Sequence, residues 1–281
     1  MLNIAGKIDQ GTVSVYRAVN NAADKLNIPY VVVGASARDL VMHHGYRAPL
    51  ERATQDVDFG IQVPHWDAFY ALRSELETLG FLPAKLAHRL YGPEGTPIDI
   101  VPFGGNQDEQ AQITWPPENH FVMSVLGFQE VCENAVQVCV QETPELVIPV
   151  ATPEGMILLK LIAWTNRPSD MRRKDASDIL YLLKNYEAIP AVKDAMYEDA
   201  ERMGYYDWDT TLAASNELGT AARRIARDAT AQMINEFFTD QHKTLSLDLL
   251  ITEMCGNNVA NEYDRNSQLL QALVDGFMMR K

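Results

Sequence analysis

The sequence predicts an α+β protein, with strands and helices interleaved over residues 1–150 and helices alone over 151–281. Two observations carry this. Before residue 150 the apolar positions switch between a period of two and a period near 3.6, whereas afterwards only the helical period persists. At the switch, Thr152-Pro153-Glu154 supplies an N-cap, a proline at the first helical position and an early acid, a strong helix start. A domain boundary is placed there.

Residues 9–26 carry Val13, Ala18, Val19, Ala22 and Leu26 at the spacing of an amphipathic helix. Tyr30-Val31-Val32-Val33 reads as a short buried strand, followed by Gly34-Ala35-Ser36 and a helical start at Ala37-Arg38-Asp39-Leu40-Val41. A strand over 56–62 precedes a helix over 66–79 that Gly80 ends. Residues 86–101 read as a hairpin turning at Pro93-Glu94-Gly95, and 104–120, with Gly104-Gly105 and Pro116-Pro117, as a loop. Further strands are expected near 122–126, 130–132 and 136–140, the last alternating Val with other residues. Helices are expected at 153–165, 174–185, 190–203, 215–239, 245–255 and 261–279. No internal repeat or low-complexity tract interrupts them.

A chain of 281 residues can bury a substantial core in one large or two modest domains. The formal net charge of −14 argues against a broad electrostatic grip on nucleic acid, which needs lysines and arginines to replace condensed counterions. Local basic sites remain: Arg38, Arg47 and Arg52 flank the glycine loop, and Arg167, Arg172, Arg173 and Lys174 form a second run. Cys132, Cys139 and Cys255 lack Cys-x-x-Cys spacing and read as buried thiols of a reducing compartment. The start, Met1-Leu2-Asn3-Ile4-Ala5-Gly6-Lys7, has no apolar signal core, and no run approaches membrane-spanning length. A cytoplasmic protein with no membrane partner is expected.

Asp56 and Asp58, in Thr54-Gln55-Asp56-Val57-Asp58-Phe59, are one residue apart on a predicted strand, so both point one way while Val57 and Phe59 point into a core. Asp is depleted in strands and neighbouring like charges repel, which makes a divalent cation their natural complement. Asp-x-Asp alone is a weak signal, shared with solvated strand faces, glycosyltransferases and phosphatases. Its context strengthens it. Gly34 lets backbone approach a phosphate, Ser36 offers a hydroxyl beside free N–H groups, and Asp99 in Pro97-Ile98-Asp99-Ile100-Val101 faces away from its isoleucines. The blander readings are an N-cap serine at Ser36 and a solvated strand position at Asp99. His43-His44 are read as loop or acceptor-side residues without metal-ligand spacing, and Trp66, Phe69, Tyr70 and Tyr205-Tyr206-Trp208 as core before a stacking platform.

Gly-x-Ser, then Asp-x-Asp, then a lone strand Asp resembles the nucleotidyltransferase superfamily of the DNA polymerase β type. Within it the chain is most similar to the AbiEii/AbiGii-type nucleotidyltransferases, several of which are toxins of toxin–antitoxin pairs. The resemblance includes Leu158-Leu159-Lys160-Leu161-Ile162-Ala163-Trp164 and Arg172-Arg173-Lys174-Asp175-Ala176-Ser177-Asp178-Ile179, similar to the family's Lys-bearing helix and Arg/Lys-Asp-x-x-Asp-Leu helix. It spans about residues 30–183. Two departures are a Gly34-Ala35-Ser36 loop where Gly-Gly-Ser/Thr is commoner, and a long stretch before Asp56.

The resemblance implies a head with a mixed β-sheet flanked by helices over 1–150, and a helical domain over 151–281 that closes the nucleotide and acceptor cleft. It implies transfer of an NMP from an NTP to an acceptor hydroxyl, with Asp56, Asp58 and Asp99 as catalytic carboxylates ligating Mg²⁺ or Mn²⁺. Gly34, Ser36, Arg38, Lys160, Asp175 and Asp178 would bind the nucleotide, and the basic run from Arg167 to Lys174 would border the cleft. The bland versions are a snorkelling Lys160 and a surface ion-pair helix at Asp175 and Asp178. Acceptors consistent with the resemblance are a tRNA end, a protein side chain or a small molecule such as an aminoglycoside-like antibiotic. A cognate antitoxin would be the partner. The rivals are a catalytically quiet nucleotide-binding or antitoxin-like protein of the same fold, and a glycosyltransferase, which the loop ahead of Asp56 disfavours.

Overall fold

The computed structural model describes residues 1–51, 54, 56–116, 122–241 and 245–279, so the expectations on Arg52 and Pro117 lie outside the described residues. The chain divides into two compact units, the first Met1–Gly45 with Leu50–Thr152, the second Tyr46–Pro49 with Pro153–Lys281.

The first unit runs β1 (Leu2–Asn3), α1 (Gln10–Leu26), β2 (Tyr30–Val33), α2 (Gly34–Arg38), a π-helical segment Asp39–Gly45, β3 (Val57–Val63) and α3 (Trp66–Thr78). It continues through β4 (Leu82–Pro83), β5 (Arg89–Tyr91), β6 (Pro97–Gly104), β7 (Gln112–Thr114), β8 (Val122–Ser124), α4 (Phe128–Glu133), β9 (Val136–Glu142) and β10 (Glu145–Val150). Eight strands form one mixed sheet in the order β1-β9-β10-β2-β3-β6-β5-β4, and β7 pairs β8 separately. The central strands are the apolar ones. All of β2 is buried, as are Val57, Phe59, Ile61 and Val63 on β3, each worth roughly 1.5–3 kcal/mol of burial for its aliphatic or aromatic side chain. Asp9 caps α1 by accepting from the Thr12 N–H at 2.8 Å, and Asn27 in the left-handed region (φ 53°) ends it.

Several local expectations are corrected. Residues 130–132 are helical within α4, because Gly127 at φ 86° turns the chain so that Glu130 and Val131 are buried from a helix. The expected loop at 104–120 contains β7, which found a partner in β8. Strand β10 went unread because Pro149 and Glu145 obscured the alternation of buried Leu146, Ile148 and Val150. Strands β1 and β4, two residues each, are too short for periodicity to register. Cys139 and Cys255 are buried free thiols, whereas Cys132 is half-buried, and burial pushes its thiol up to about 11.

The second unit is helical: α5 (Pro153–Asn166), α6 (Arg173–Asn185), a 3₁₀ turn at Tyr186–Ala188, α7 (Pro190–Glu198), α8 (Ala200–Tyr205), α9 (Thr210–Ile225), α10 (Asp228–Phe238), α11 (Leu247–Cys255) and α12 (Val259–Phe277). The single helix expected over 190–203 is broken at Asp199, which caps α8 by accepting from the Arg202 N–H at 3.0 Å. The one expected over 215–239 starts earlier, at an Asp209 cap, and is interrupted where Ala226 turns extended (ψ 127°). Helices α9 and α12 touch through glycines: a Cβ on Gly276 would lie 2.0 Å from the Asn216 carbonyl oxygen, and one on Gly219 would lie 2.1 Å from that of Leu273. The strip Tyr46–Pro49 belongs to this unit, where the Pro49 carbonyl accepts from the buried Tyr181 hydroxyl at 2.8 Å.

Candidate active site

Three adjacent strands of the first unit set the acids. The parallel pairing of β3 with β6 places Asp58 beside Asp99, and the antiparallel pairing of β2 with β3 places Val33 beside Asp58. Ile98 and Ile100 point into the core, so Asp99 lies on the other face by strand alternation. Strand β3 begins at Val57, so Asp56 stands just ahead of it instead of within it. Gly34 adopts φ 71°, and a Cβ there would meet Asp58 Oδ2 at 2.0 Å. The turn between β2 and α2 thus lies directly against the Asp58 carboxylate, in a backbone region open to glycine.

Ser36 is not an N-cap. It sits inside α2, buried, its hydroxyl donating to the Val33 carbonyl at 3.1 Å. The Tyr16 hydroxyl hydrogen-bonds Ser36, and burial holds that phenol well above its ordinary range. Arg38 is also buried, with Nη2 and Nε at 2.7 and 2.9 Å from Asp39 Oδ1. Burial raises the Asp39 carboxyl while Arg38 opposes the rise. Arg47, exposed at φ 63°, falls in the strip assigned to the second unit.

The residue that sequence reasoning missed is Arg89. Its Nε lies 2.7 Å from Asp99 Oδ1 and its Nη2 2.7 Å from Asp99 Oδ2, a two-pronged pair, while Nη2 also lies 2.8 Å from Asp56 Oδ2. These bonds, those to Asp99 first, raise the guanidinium pKa further. The signal was available. In the predicted hairpin, counting across the Pro93-Glu94-Gly95 turn pairs Leu90 with Ile98 and therefore Arg89 with Asp99.

The donor chemistry suits a hard divalent cation: Asp56 and Asp99 already converge on one cationic group, and Asp58 adjoins Asp99 in register. As arranged here, with Arg89 on the shared oxygens, no group of three or more His, Cys, Asp or Glu among the described residues is set to hold a metal ion. His43 and His44 are not in a loop. They lie in the π-helical segment, with their rings 4.8 Å apart, edge to face.

In the second unit, Lys160 does not snorkel. Its Nζ lies 2.6 Å from Asp178 Oδ2 and 3.1 Å from Asp175 Oδ1, and Arg167 adds a 2.8 Å contact to Asp175 Oδ2. Burial opposes the ammonium charge, but Asp178 and Asp175 outweigh it and raise the Lys160 pKa. Both aspartates are buried, so α6 is not a surface ion-pair helix. Arg172, expected in a basic run, is taken up by Glu253 at 2.8 Å and by the face of Trp164 at 5.3 Å, whereas Arg167, Arg173 and Lys174 are exposed, Arg167 while paired with Asp175.

Residues 17–253 match the family described as "Nucleotidyl transferase AbiEii toxin, Type IV TA system". The chain belongs to the AbiEii nucleotidyltransferase family. It is a nucleotidyltransferase, and the mixed sheet flanked by helices is consistent with that family's fold. No curated protein sequence matches this AbiEii chain. Among solved structures, ANT(2″)-Ia in complex with adenylyl-2″-tobramycin is 17% identical, with 69% of this chain and 98% of that one covered and a TM-score of 0.37. An antigenic nucleotidyltransferase-like protein from Paracoccidioides brasiliensis is 16% identical over 73% and 93%, TM-score 0.38. The Thermotoga maritima CCA-adding enzyme complexed with tRNA is 11% identical over 98% and 80%, TM-score 0.27. These likenesses are distant, and no acceptor passes from them to the AbiEii chain. Among the described residues no helix is long and apolar enough to cross a membrane.

Proposed function

We propose that this AbiEii protein transfers an NMP from an NTP to a hydroxyl of a tRNA end, a protein or a small molecule, with Mg²⁺ or Mn²⁺ bound, as the toxin of a toxin–antitoxin pair. The observation that carries the metal-dependent reading is the convergence of Asp56 and Asp99 on one guanidinium, with Asp58 beside Asp99. Asp56, Asp58 and Asp99 would hold the cation. When bound, it neutralises charge on the triphosphate and on the oxygens that gain charge during transfer.

The acceptor oxygen forms its bond to the α-phosphorus as the bond to pyrophosphate breaks, and the hydroxyl proton passes to Asp99 or to water. Gly34, lacking a Cβ, lets the glycine loop close against the Asp58 carboxylate so that its backbone can approach a phosphate, and Ser36 turns its hydroxyl from Val33 to a phosphate oxygen. Arg38 supports that loop from the core. In the helical part, Lys160, oriented by Asp175 and Asp178, serves the β- and γ-phosphates. The family description supports a cognate antitoxin as partner.

A second reading is favoured by one observation: the carboxylates are already paired with Arg89, as in a quiet nucleotide-binding or antitoxin-like protein that has kept the fold. One experiment separates the two. The full chain is incubated with each α-labelled NTP, Mg²⁺ or Mn²⁺, and tRNA, protein or aminoglycoside acceptors, alongside Asp58→Ala. Metal-dependent labelling lost in the variant is expected. Binding of an NTP with no labelling of any acceptor supports the quiet reading, and no metal-dependent NTP binding in calorimetry sinks the first.

A further inference from the structure

We propose that Arg89 is a built-in counter-cation, a positioning residue that holds Asp56 and Asp99 together in the metal-free protein and must release them for a divalent cation to bind. The inference rests on the reading of Asp56, Asp58 and Asp99 as metal ligands. Both oxygens of Asp99 and one of Asp56 are bonded to the same guanidinium at 2.7–2.8 Å. A metal drawing on Asp56 and Asp99 therefore competes with Arg89 for both oxygens of Asp99 and one of Asp56, and its positive charge would be pressed against a guanidinium.

The placement is built into the hairpin. Strand β5 is three residues long, and the antiparallel register that buries Leu90 against Ile98 sets Arg89 opposite Asp99. Removing the guanidinium without replacing its charge leaves the two carboxylates to repel one another. Exchange needs no unfolding, because the Arg89 side chain is 25% exposed and that of Asp56 42% exposed. A shared, solvent-accessible ion pair of this kind is one that a dication can displace at modest cost. The protein would thereby have two charge-balanced states, one internal and one metal-loaded.

Mn²⁺ binding to the full chain without nucleotide, followed by calorimetry, tests this with wild type, Arg89→Gln and Arg89→Lys. Arg89→Gln is expected to bind Mn²⁺ about tenfold more tightly, Arg89→Lys to fall between, and the thermal midpoint of Arg89→Gln in EDTA to drop and recover with Mn²⁺. Equal or weaker binding by Arg89→Gln, with wild-type binding measurable, overturns the proposal and leaves the metal reading standing. No binding by any of the three overturns the metal reading itself. Wild-type protein gives an independent readout should Arg89→Gln fail to fold. The Arg89 Nε–H resonance, hydrogen-bonded to Asp99 in EDTA, is expected to move to the position of a solvated guanidinium when Mg²⁺ is added, and an unmoved resonance overturns the proposal.

Discussion

Gly34 lies against the carboxylate of Asp58 so closely that a Cβ would stand 2.0 Å from Oδ2. Gly34→Ala therefore incurs two penalties, a left-handed backbone at φ 71° costing about 1–2 kcal/mol and a displaced acid. We expect a small loss of stability and a much larger loss of nucleotidyl transfer. Thermal unfolding and turnover measured side by side check it, and wild-type turnover would show that Asp58 moves without consequence.

Lys160→Ala takes the shared ammonium away from two buried carboxylates, of which Asp175 keeps Arg167. Asp175 and Asp178 have side chains 0% and 4% exposed, so the expected destabilisation is roughly 3–5 kcal/mol by urea unfolding. Replacing all three charges together, with Lys160→Met, Asp175→Asn and Asp178→Asn, is expected to cost less than Lys160→Ala alone. A triple variant as unstable as the single one would show that the lysine's value is not its charge. In the folded fraction, loss of a charged hydrogen bond to phosphate, about 1.5–3 kcal/mol, should weaken triphosphate much more than monophosphate.

Gly276→Val should disrupt the second unit more than any exposed substitution. The new side chain has to enter the space of the Asn216 carbonyl, which is helix backbone and cannot swing aside. A cost on the order of 1–3 kcal/mol or more is expected from overpacking. Gly204→Ala, whose Cβ would meet nothing within 4 Å, is the control that should be near neutral or stabilising.

Asp209 supplies a pH test of stability. Its carboxylate bonds Arg265 at 2.7 Å and accepts from the Thr211 and Leu212 N–H groups at 3.1 Å, and the Arg265 bond leads in holding its pKa below 3.8. A folded-state pKa below the unfolded one means the carboxylate's contribution is complete above about pH 4 and is lost as the pH falls through the folded value. Asp209→Ala should then cost about 1–2 kcal/mol at pH 7 and progressively less in strong acid. A difference that stays constant down to pH 2 would assign the effect to packing.

The acids were legible because strand alternation is a local rule: Val57, Phe59, Ile98 and Ile100 had to be inward, which put Asp58 and Asp99 on the other face. The neighbouring order of β2, β3 and β6 was not legible, since strand pairing is a long-range property that one strand's residues do not encode. Arg89 was missed for a related reason. Its meaning lies in a register across the hairpin, and a lone basic residue on a three-residue strand carries no period of its own. The helix breaks at Asp199 and Ala226 were hidden by apolar spacing that continues through them, although Asp199 and Asp209 are ordinary capping residues once the break is suspected.

The strip Tyr46–Pro49 makes the gene harder to divide than its two halves suggest. The polypeptide passes from the sheet-bearing unit to the helical one, returns after four residues, and passes over again at Pro153. A cut at residue 152 would deprive the helical fragment of the Pro49 carbonyl that Tyr181 uses. Recombination that exchanged the helical half between relatives would need two exchanges, one of them a four-residue patch inside the other half, so the halves are expected to be inherited together.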